Sequence, residues 1–228
     1  MGGKIYLSTG IDAITTDSGR VTGLNIEIQG EIKHEKFDVV ISSTPSHIFD
    51  AITEGLSTEY RRNLRGITYM AAVLLILVMD RPLSNKYWLN IADRNIPFVG
   101  VIEHTNLIDP SHYNGSHIVY LSNYLTPDSK YYSMTQTELL NAYIPHLSKI
   151  NPKFSKGWIQ EIHHHKIDGA QPIIGPNYSD RMPPHDTGIK NLYLANTSQI
   201  YPEDRGTNYS VKMGRHIAQL AITNLCST

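Results

Sequence analysis

The sequence is poor in the features that mark secreted, membrane-spanning and nucleic-acid-binding proteins. It has one cysteine, Cys226, so no disulfide can form within the chain. Its longest apolar run, Met70–Met79, is far shorter than the ~20 residues that span a bilayer. The 20 lysines and arginines balance 21 acidic residues and form no basic block, which argues against nucleic acid as a partner. These absences predict a protein of a reducing compartment without a transmembrane segment.

The composition that is present is typical of a globular protein. Hydrophobic residues make up 40% and charged residues 18% of 228 residues, enough to bury a core. We expect a cytoplasmic protein, with peripheral attachment to a membrane as the alternative. The first residues have no signal-peptide pattern and lead straight into strand-like sequence. We interpret this abrupt start as a sign that the chain is part of a longer protein.

The N-terminal region predicts a three-stranded meander over residues 4–42. Turn residues occur at Asp17–Gly19 and at Gln29–Gly30. The third strand is predicted to end in the apolar run Phe37–Ile41, a pattern typical of burial on both faces. A helix is then predicted to begin near Pro45, with a hydroxyl residue as its cap. The first strand is predicted from the alternation of Ile5, Leu7, Thr9 and Ile11.

The middle of the chain predicts a second group of strands with helices. Residues 58–64 form a short charged helix, and residues 69–124 contain three or four strands. A helix over 134–150 carries an apolar stripe. A strand over 158–167 is followed by a proline-rich loop over 170–188.

The end of the chain predicts a buried strand, a polar residue, a loop and a helix. The strand is Asn191–Ala195, and the helix runs from about Thr207 to Leu225. Glycine in mid-helix costs about 1 kcal/mol relative to alanine, so Gly214 suggests close approach of another backbone or a ligand. The helix start presents unpaired N–H groups that suit an anion or an electron-rich carbonyl. The residues expected on its buried stripe are Val211, Gly214, Ile217, Ala218, Ala221 and Leu225.

Three segments together resemble one family. Ile189–Asn196, followed by a loop and Gly206–Ala218, is similar to the C-terminal flavin motif of the amine oxidase, protoporphyrinogen oxidase and phytoene desaturase superfamily. Gly2–Ile14 is similar to the strand by which that family returns to its flavin domain. Asp38–Pro45 resembles the family's crossover into the substrate domain. The three segments occur in the family's order along the chain.

The resemblance implies FAD as the cofactor and a small molecule as the substrate. By the same resemblance, the residue at the Ile11 position contacts the adenine through its backbone. The first amides of the C-terminal helix point at the flavin ring. No residue is implied as a catalytic acid or base. The implied cofactor-binding residues are Ile11, Thr44, Pro45, Asn196, Gly206, Thr207 and Asn208.

Two departures from the family pattern bear on what this chain can do. The strand ends in Ala195-Asn196, where the family has Gly-Asp or Gly-Glu. The chain also contains no Gly-x-Gly-x-x-Gly, the fingerprint that opens the family's dinucleotide-binding half. We therefore expect a C-terminal portion that lacks the fingerprint half and is inactive by itself.

The expected fold is mixed α/β, of the α+β kind, and is part of a two-domain flavoprotein. Residues 1–45 and 171–228 would form a partial FAD-binding domain from the meander and the C-terminal strand and helix. Residues 46–170 would form a substrate-binding domain on an antiparallel sheet. The complete enzyme would oxidise a C–N or C–C bond of a small molecule.

Two alternatives stay open, and several further classes are excluded. The chain could resemble UDP-galactopyranose mutase, a flavoenzyme that would need cavity arginines from among Arg81, Arg94 and Arg181. It could instead be a non-catalytic, truncated interaction domain. His163 and His165 would share one face of a strand, but no third ligand has a recognisable spacing, so no metal site is expected. Hydrolase and kinase motifs are absent from the sequence.

Overall fold

A computed structural model describes residues 2–226, which divide into two compact units. Unit 1 joins the segment up to Thr68 with the segment from Pro172 onward, and unit 2 is Tyr69–Gln171. The strands are β1 (Thr9–Asp17), β2 (Arg20–Ile28), β3 (Glu31–Lys36), β4 (Val40–Ser42), β5 (Tyr69–Met79), β6 (Trp88–Asn90), β7 (Gly100–Glu103), β8 (His117–Leu125), β9 (Ile159–Pro172) and β10 (Leu192–Leu194). The helices are α1 (Ser46–Ile52), α2 (Thr58–Arg65), α3 (Lys130–Ser133), α4 (Gln136–Ile150) and α5 (Thr207–Cys226).

The first boundary between the units lies after Thr68, not after Pro45 as the sequence suggested. The reason is that α1 and α2 belong to unit 1. Phe49 of α1 and Leu64 of α2 are buried in the same apolar cluster as Val21 of the meander. The second boundary between the two compact units lies between Gln171 and Pro172.

The meander of unit 1 has its two turns where the sequence predicts them. β1 pairs antiparallel with β2, and β2 with β3. Ser18 and Gly19 have φ values of 49° and 75°, and Gln29 and Gly30 have 54° and 83°. Two successive positive φ values match the twist of antiparallel strands in a two-residue hairpin, which explains glycine at the second position.

The ends of the meander differ from the sequence prediction. β1 begins at Thr9, and the preceding Ile5 and Leu7 are 88% and 83% exposed. In place of the single third strand that the sequence predicts, the structure has two strands, β3 and β4. β3 ends at Lys36 and is exposed along its whole length. β4 then leaves the meander and pairs parallel with β10. An alternating apolar pattern is compatible both with a strand that continues the meander and with a strand that pairs with β10. The sequence could not decide between these arrangements, because β10 lies 150 residues further along the chain.

The parallel pair β4–β10 lies between two apolar layers of unit 1. Val40, Leu192 and Leu194 face the cluster that contains α1 and α2. Tyr193 and Ala195 face α5 on the other side. This two-sided burial is what parallel strands require, and it fixes the position of the residues that follow β10.

α5 turns a different face to unit 1 than its sequence predicted. Ile217 and Ala221 are buried, but Val211 is 51% exposed and Leu225 is 40% exposed. Gly214 has open space where a Cβ would be. The helix has apolar residues around more than half of its circumference, so its sequence alone could not select the buried side. Val211 is therefore not a core residue, and a charge at this position would not unfold the domain.

Unit 2 is a five-stranded sheet in the order β6-β7-β8-β5-β9, packed against α4. The sequence predicted three or four strands followed by a helix, and the structure has four strands, β5 to β8, before α4. Alternate residues of β5 from Ala71 to Met79 are fully buried, while those between them are half-buried. α4 begins with a capping box between Thr135 and Glu138. Within residues 2–226, no helix has the length and apolar character to cross a membrane.

Candidate cofactor-binding site

Asn196, the polar residue directly after β10, ties two loops of unit 1 together. Its side-chain Nδ2 donates to the Thr44 carbonyl oxygen at 2.9 Å and lies 3.3 Å from the Ser46 hydroxyl. Its Oδ1 accepts from the Ser198 N–H at 3.0 Å and from the Ser198 hydroxyl at 2.6 Å. The side chain is 4% exposed, and both ends of its amide are engaged within the protein.

The structure thus brings together three of the residues predicted at the site: Thr44, Pro45 and Asn196. The Pro45 carbonyl accepts the first hydrogen bond of α1, from the Phe49 N–H. Pro45 is the N-cap of α1, and no side chain caps the helix there, contrary to the expected hydroxyl cap. The Thr44 hydroxyl lies 2.8 Å from the Ser42 hydroxyl. These contacts fix the positions of the loop that follows β4 and the loop that follows β10.

The start of α5 is open. The first bond of the helix runs from the Ser210 N–H to the Gly206 carbonyl at 3.0 Å. The N–H groups of residues 207–209 precede this bond and so lack partners inside the helix. Thr207 and Asn208 are exposed, and the first turn contains no acidic residue. The helix start is therefore a positive surface that nothing on the helix neutralises.

Gly206 is not needed for a positive φ at the start of α5. Its φ lies outside the left-handed region. A Cβ at Gly206 would come within 2.7 Å of Asn208 Oδ1, the end of a flexible side chain. The lack of a side chain at Gly206 therefore matters because it lets another group approach the start of α5 closely. The local backbone conformation depends on it less.

Arg205 adds a second positive group at this helix start. Its Nε is buried without a hydrogen-bond partner among the described residues. A buried donor without an acceptor costs free energy, so this position favours an acceptor that the protein chain itself does not supply. An anionic or carbonyl-bearing ligand at the start of α5 would provide one.

A cavity of about 170 Å³ lies beside the first turns of α5. His185 Nδ1 lies 2.9 Å from the Leu194 carbonyl, and its ring is 5.7 Å from that of His216. Pockets that enclose a whole small molecule usually measure ~300–1,000 Å³. The cavity therefore fits one end of a large cofactor and not all of it. The other lining residues are Gln199, Ile200, Tyr201, Glu203, Tyr209, Lys212 and Met213.

Ile11, the seventh residue predicted at the site, lies in the meander. It pairs with Ile26 and is 39% exposed. A bulge between Ile11 and Ala13 shifts the register of β1 directly after it. A bulge exposes backbone groups that regular pairing would use, which is compatible with the backbone contact expected at this position.

Sequence reasoning missed the buried carboxylate of Glu103 in unit 2. Glu103 is 0% exposed and accepts hydrogen bonds from the N–H groups of Leu83 and Ser84 at 2.9 and 2.6 Å. Burial raises the pKa of its carboxyl group, and the two N–H donors partly offset that effect. The available sequence signal for this buried carboxylate was a glutamate at the end of an apolar strand. Its hydrogen-bond partners could not be recognised from the sequence, because they lie about 20 residues away.

The arginines that a diphosphate site would need do not form a cluster within either unit. Arg81 pairs with Asp80 at 2.8 Å and lies 5.1 Å from the Trp158 ring. Arg94, also in unit 2, is exposed. Arg181 belongs to unit 1 and donates to the Pro176 carbonyl.

The histidines of β9 allow a test of the expectation that the chain has no metal site. His163 Nε2 lies 3.3 Å from Glu161 Oε1, and no group of three potential ligands occurs among residues 2–226. Replacing His163 and His165 together with alanine should leave metal content and melting temperature almost unchanged, because two ligands do not hold zinc tightly. Stoichiometric zinc that disappears in the double variant, measured by elemental analysis, would contradict this prediction.

The fold of unit 1 is an α/β arrangement of a kind that can bind an anionic ligand at a helix start. A parallel strand pair leads into a helix with an open positive start, and a separate antiparallel-sheet unit is inserted between the two strands. The family model of flavin-containing amine oxidoreductases matches residues 1–220. The chain belongs to this family, and the resemblance inferred from the three sequence segments is confirmed.

Solved structures show the same fold. An oxidoreductase from Methanosarcina mazei is 22% identical, with a TM-score of 0.61 over 86% of this chain and 45% of its own. A protein assigned as a protoporphyrinogen oxidase from Exiguobacterium sp. 255-15 is 12% identical, with a TM-score of 0.66 over 94% of this chain and 47% of its own. A reduced UDP-galactopyranose mutase is 16% identical, with a TM-score of 0.61 over 82% of this chain and 40% of its own.

The chain spans less than half the length of each of these three structures. No curated protein sequence matches it. The expected mixed α/β fold is confirmed by these likenesses, which at such identities concern the fold alone.

Proposed function

We propose that this chain is the C-terminal portion of an FAD-dependent oxidoreductase that oxidises a C–N or C–C bond of a small molecule. The observation that carries the proposal is the open start of α5. It combines N–H groups that have no partner inside the helix, the unpartnered Arg205 Nε and a small adjoining cavity. Unit 1 would act as the partial FAD-binding domain and unit 2 as the substrate-binding domain.

The residues at the start of α5 suit the pyrimidine end of a flavin. That end carries carbonyl oxygens and gains negative charge on reduction, so N–H donors and a guanidinium stabilise it. The contribution of such a helix terminus is about 0.3–1 kcal/mol when exposed and up to ~2 kcal/mol when partly buried. A bound FAD would supply the two-electron acceptance that no amino-acid side chain offers.

Asn196 acts indirectly in this proposal. Its amide is engaged by Thr44, Ser46 and Ser198, so it positions the loops and leaves ligand contact to the helix start. This differs from the ligand role that the resemblance implied for it. Thr44 and Pro45 lie within the same fixed loop and are proposed to contact the cofactor through their exposed atoms. Ile11 is proposed to contact the adenine through its backbone.

Unit 2 offers a sheet face suited to an apolar substrate. On the face opposite α4, Trp88, Ile102, Tyr120 and Ile76 lie in one row across four strands. The other residues of β5 to β8 on this face are also uncharged. Such a face favours apolar or aromatic molecules, and the Tyr120 hydroxyl provides a hydrogen bond for orientation.

The 228-residue chain purified alone should be colourless and nearly free of FAD. The pyrophosphate of a dinucleotide needs a glycine-rich turn and the helix behind it, and this sequence has neither at recognisable spacing. The measurement is the visible absorption of the purified chain after incubation with FAD and desalting. A yellow preparation with one flavin per chain would overturn the expectation.

Replacing Gly206 with valine should lower flavin occupancy in the complete flavoprotein while leaving the fold intact. Inside the chain, the added side chain would displace only the Asn208 amide. Against a flavin edge, it would block approach to the first N–H groups of α5. The measurements are bound flavin per protein and the reduction potential, with melting temperature as the check on folding.

Gln219→Val is the matched control for Gly206→Val, since it places the same side chain on an exposed position of the same helix. The control should keep full flavin content. If Gly206→Val also retained full occupancy, an unchanged spectrum and an unchanged potential, the start of α5 would not be at the flavin.

A further inference from the structure

A histidine and a tyrosine form a close hydrogen-bonded pair in the segment that joins β7 to β8. His104 follows β7 directly, and its Nε2 lies 2.6 Å from the Tyr113 hydroxyl oxygen. The centroids of the two rings are 5.4 Å apart, with an interplanar angle of 78°. Tyr113 is 36% exposed. A hydrogen bond at such a site adds only about 0.5–1.5 kcal/mol to stability, so its main effect is to hold the imidazole in one orientation.

The pair lies beside the sheet face of unit 2 that is opposite α4. The His104 ring is 6.1 Å from the Tyr120 ring, at an angle of 70°. Tyr120 is in register with Ile102 of β7, and Ile102 with Trp88 of β6, so the three side chains lie on the same face. We call these three residues the β6–β8 row. His104 therefore places an imidazole next to a row of apolar and aromatic side chains.

The backbone around His104 is anchored on both sides. The Glu103 carboxylate accepts two backbone N–H groups of the segment before β6. The Thr105 hydroxyl accepts from the Ile118 N–H at 3.2 Å. Asn106 Nδ2 donates to two carbonyl oxygens of the segment before β6, at 3.2 and 3.0 Å. Three neighbours of His104 thus use their side chains to fix the backbone, which gives the imidazole the rigid support that a binding group needs.

One nitrogen of the imidazole is left for a ligand. Nε2 is engaged by Tyr113, and Nδ1 has no hydrogen-bond partner among residues 2–226. The side chain is half-buried, so part of the ring stays open. A neutral imidazole carries one N–H and one lone pair. Nδ1 therefore donates if the Tyr113 hydroxyl donates to Nε2, and accepts if Nε2 donates to the tyrosine oxygen.

The chemistry of this nitrogen and of the face beside it selects an uncharged hydroxyl group. A hydroxyl can both donate and accept, so it pairs with Nδ1 in either state. A carboxylate cannot donate, and an ammonium group cannot accept. Strands β5 to β8, which all lie within the described residues, place no Asp, Glu, Lys or Arg on this face. A charged ligand would lose its hydration there without meeting an opposite charge.

We propose that His104 Nδ1 binds the hydroxyl group of an uncharged apolar or aromatic molecule whose body lies on the β6–β8 row. Phenols and apolar alcohols have this chemistry. Tyr113 acts through His104 and is the positioning residue of the site. The inference rests on the proposed role of unit 2 as the substrate-binding domain, and it names the class of substrate that this domain takes.

The test compares probes that share one apolar body and differ in a single group: 2-naphthol, naphthalene, 2-naphthoate and 2-naphthylmethylammonium. Equilibrium dialysis of each probe against the 228-residue chain, read by naphthyl fluorescence, gives the dissociation constants. 2-Naphthol should bind at least about tenfold more tightly than each of the others, because only the hydroxyl pairs with Nδ1 in either state.

His104→Phe keeps an aromatic ring beside Tyr120 and removes both nitrogens. It should weaken the binding of 2-naphthol at least about tenfold and leave the binding of naphthalene unchanged, because the apolar row is intact. Tyr113→Phe should reduce the preference for 2-naphthol over naphthalene by a smaller factor, since the imidazole loses its orientation but keeps its nitrogens. A purely structural role of either residue would change the binding of both probes alike.

His112→Phe is the matched control, because His112 is an exposed histidine of the same segment. It should bind every probe as the parent chain does, and all three variants should keep the parental melting temperature. The proposal is overturned if no probe binds, if a charged probe binds as tightly as 2-naphthol, or if His104→Phe weakens naphthalene as much as 2-naphthol. These measurements use the chain without flavin, so their outcome is separate from the flavin occupancy that Gly206→Val tests.

Discussion

Asn196→Asp is expected to destabilise unit 1 by about 2–4 kcal/mol at neutral pH, although aspartate is a residue that the family's motif has there. In this chain Nδ2 donates to the Thr44 carbonyl oxygen at 2.9 Å. A carboxylate would place a second acceptor against that oxygen in a site that is 4% exposed. The orientation of the amide is fixed by its partners, since Oδ1 faces the Ser198 N–H, a donor only.

The loss of stability in Asn196→Asp should depend on pH. Burial against an acceptor would raise the pKa of the new carboxyl group in the folded state above ~3.9, its ordinary value. A raised pKa gives a contribution that is present below the unfolded value and is lost as pH rises. The deficit should therefore be smallest near pH 4 and grow towards pH 7.

Urea unfolding of unit 1 at pH 4, 5.5 and 7 measures this effect. Asn177→Asp is the matched control, because Asn177 is exposed and its side chain makes no cap hydrogen bond. The control should unfold at nearly the parental urea concentration. Parental stability of Asn196→Asp at pH 7 would mean that Asn196 does not hold the two loops together.

Glu103→Ala is expected to destabilise unit 2 by about 2–5 kcal/mol. The substitution removes the acceptor for two N–H groups, those of Leu83 and Ser84, and leaves a void at a fully buried position. Glu103→Gln should lose less stability than Glu103→Ala, because it keeps one acceptor oxygen. It should still be less stable than the parent chain, because its amide nitrogen is a donor and must face one of the two N–H donors. The strand–loop segment ahead of β6 should exchange its amides faster in both variants.

The pH profile separates Glu103 from an ordinary core residue. Burial raises the pKa of its carboxyl group above 4.5, so ionisation of this group opposes folding. Its contribution to the stability of unit 2 is present below pH 4.5 and decreases as pH rises through the folded-state pKa. Glu103→Ala should abolish that slope, whereas Glu161→Ala, at an exposed position of β9, should keep it. Equal slopes in the parent chain and in Glu103→Ala would refute the assignment.

The sequence by itself determined the elements whose signals are local. The two hairpin turns depend on the residues that form them, such as Gly19 and Gly30, and the structure has them at those positions. The strand Tyr69–Met79 and the capped helix α4 are set by period and end signals within a few residues. The family also follows from short contiguous segments, because a strand followed by a helix start is a local arrangement.

Only the tertiary structure decided which side of each element is buried and which polar groups are already hydrogen-bonded within the protein. α5 has two apolar sides, and contact with Tyr193 and Ala195 selected the one that contains Ile217. The sequence makes Asn196 a candidate ligand, and only the structure shows that its amide is hydrogen-bonded to Thr44, about 150 residues away. Glu103 had no visible role until two backbone N–H groups closed over it. The physical reason is the same in each instance: burial and hydrogen-bond partners come from residues distant in the sequence, and local patterns carry no record of them.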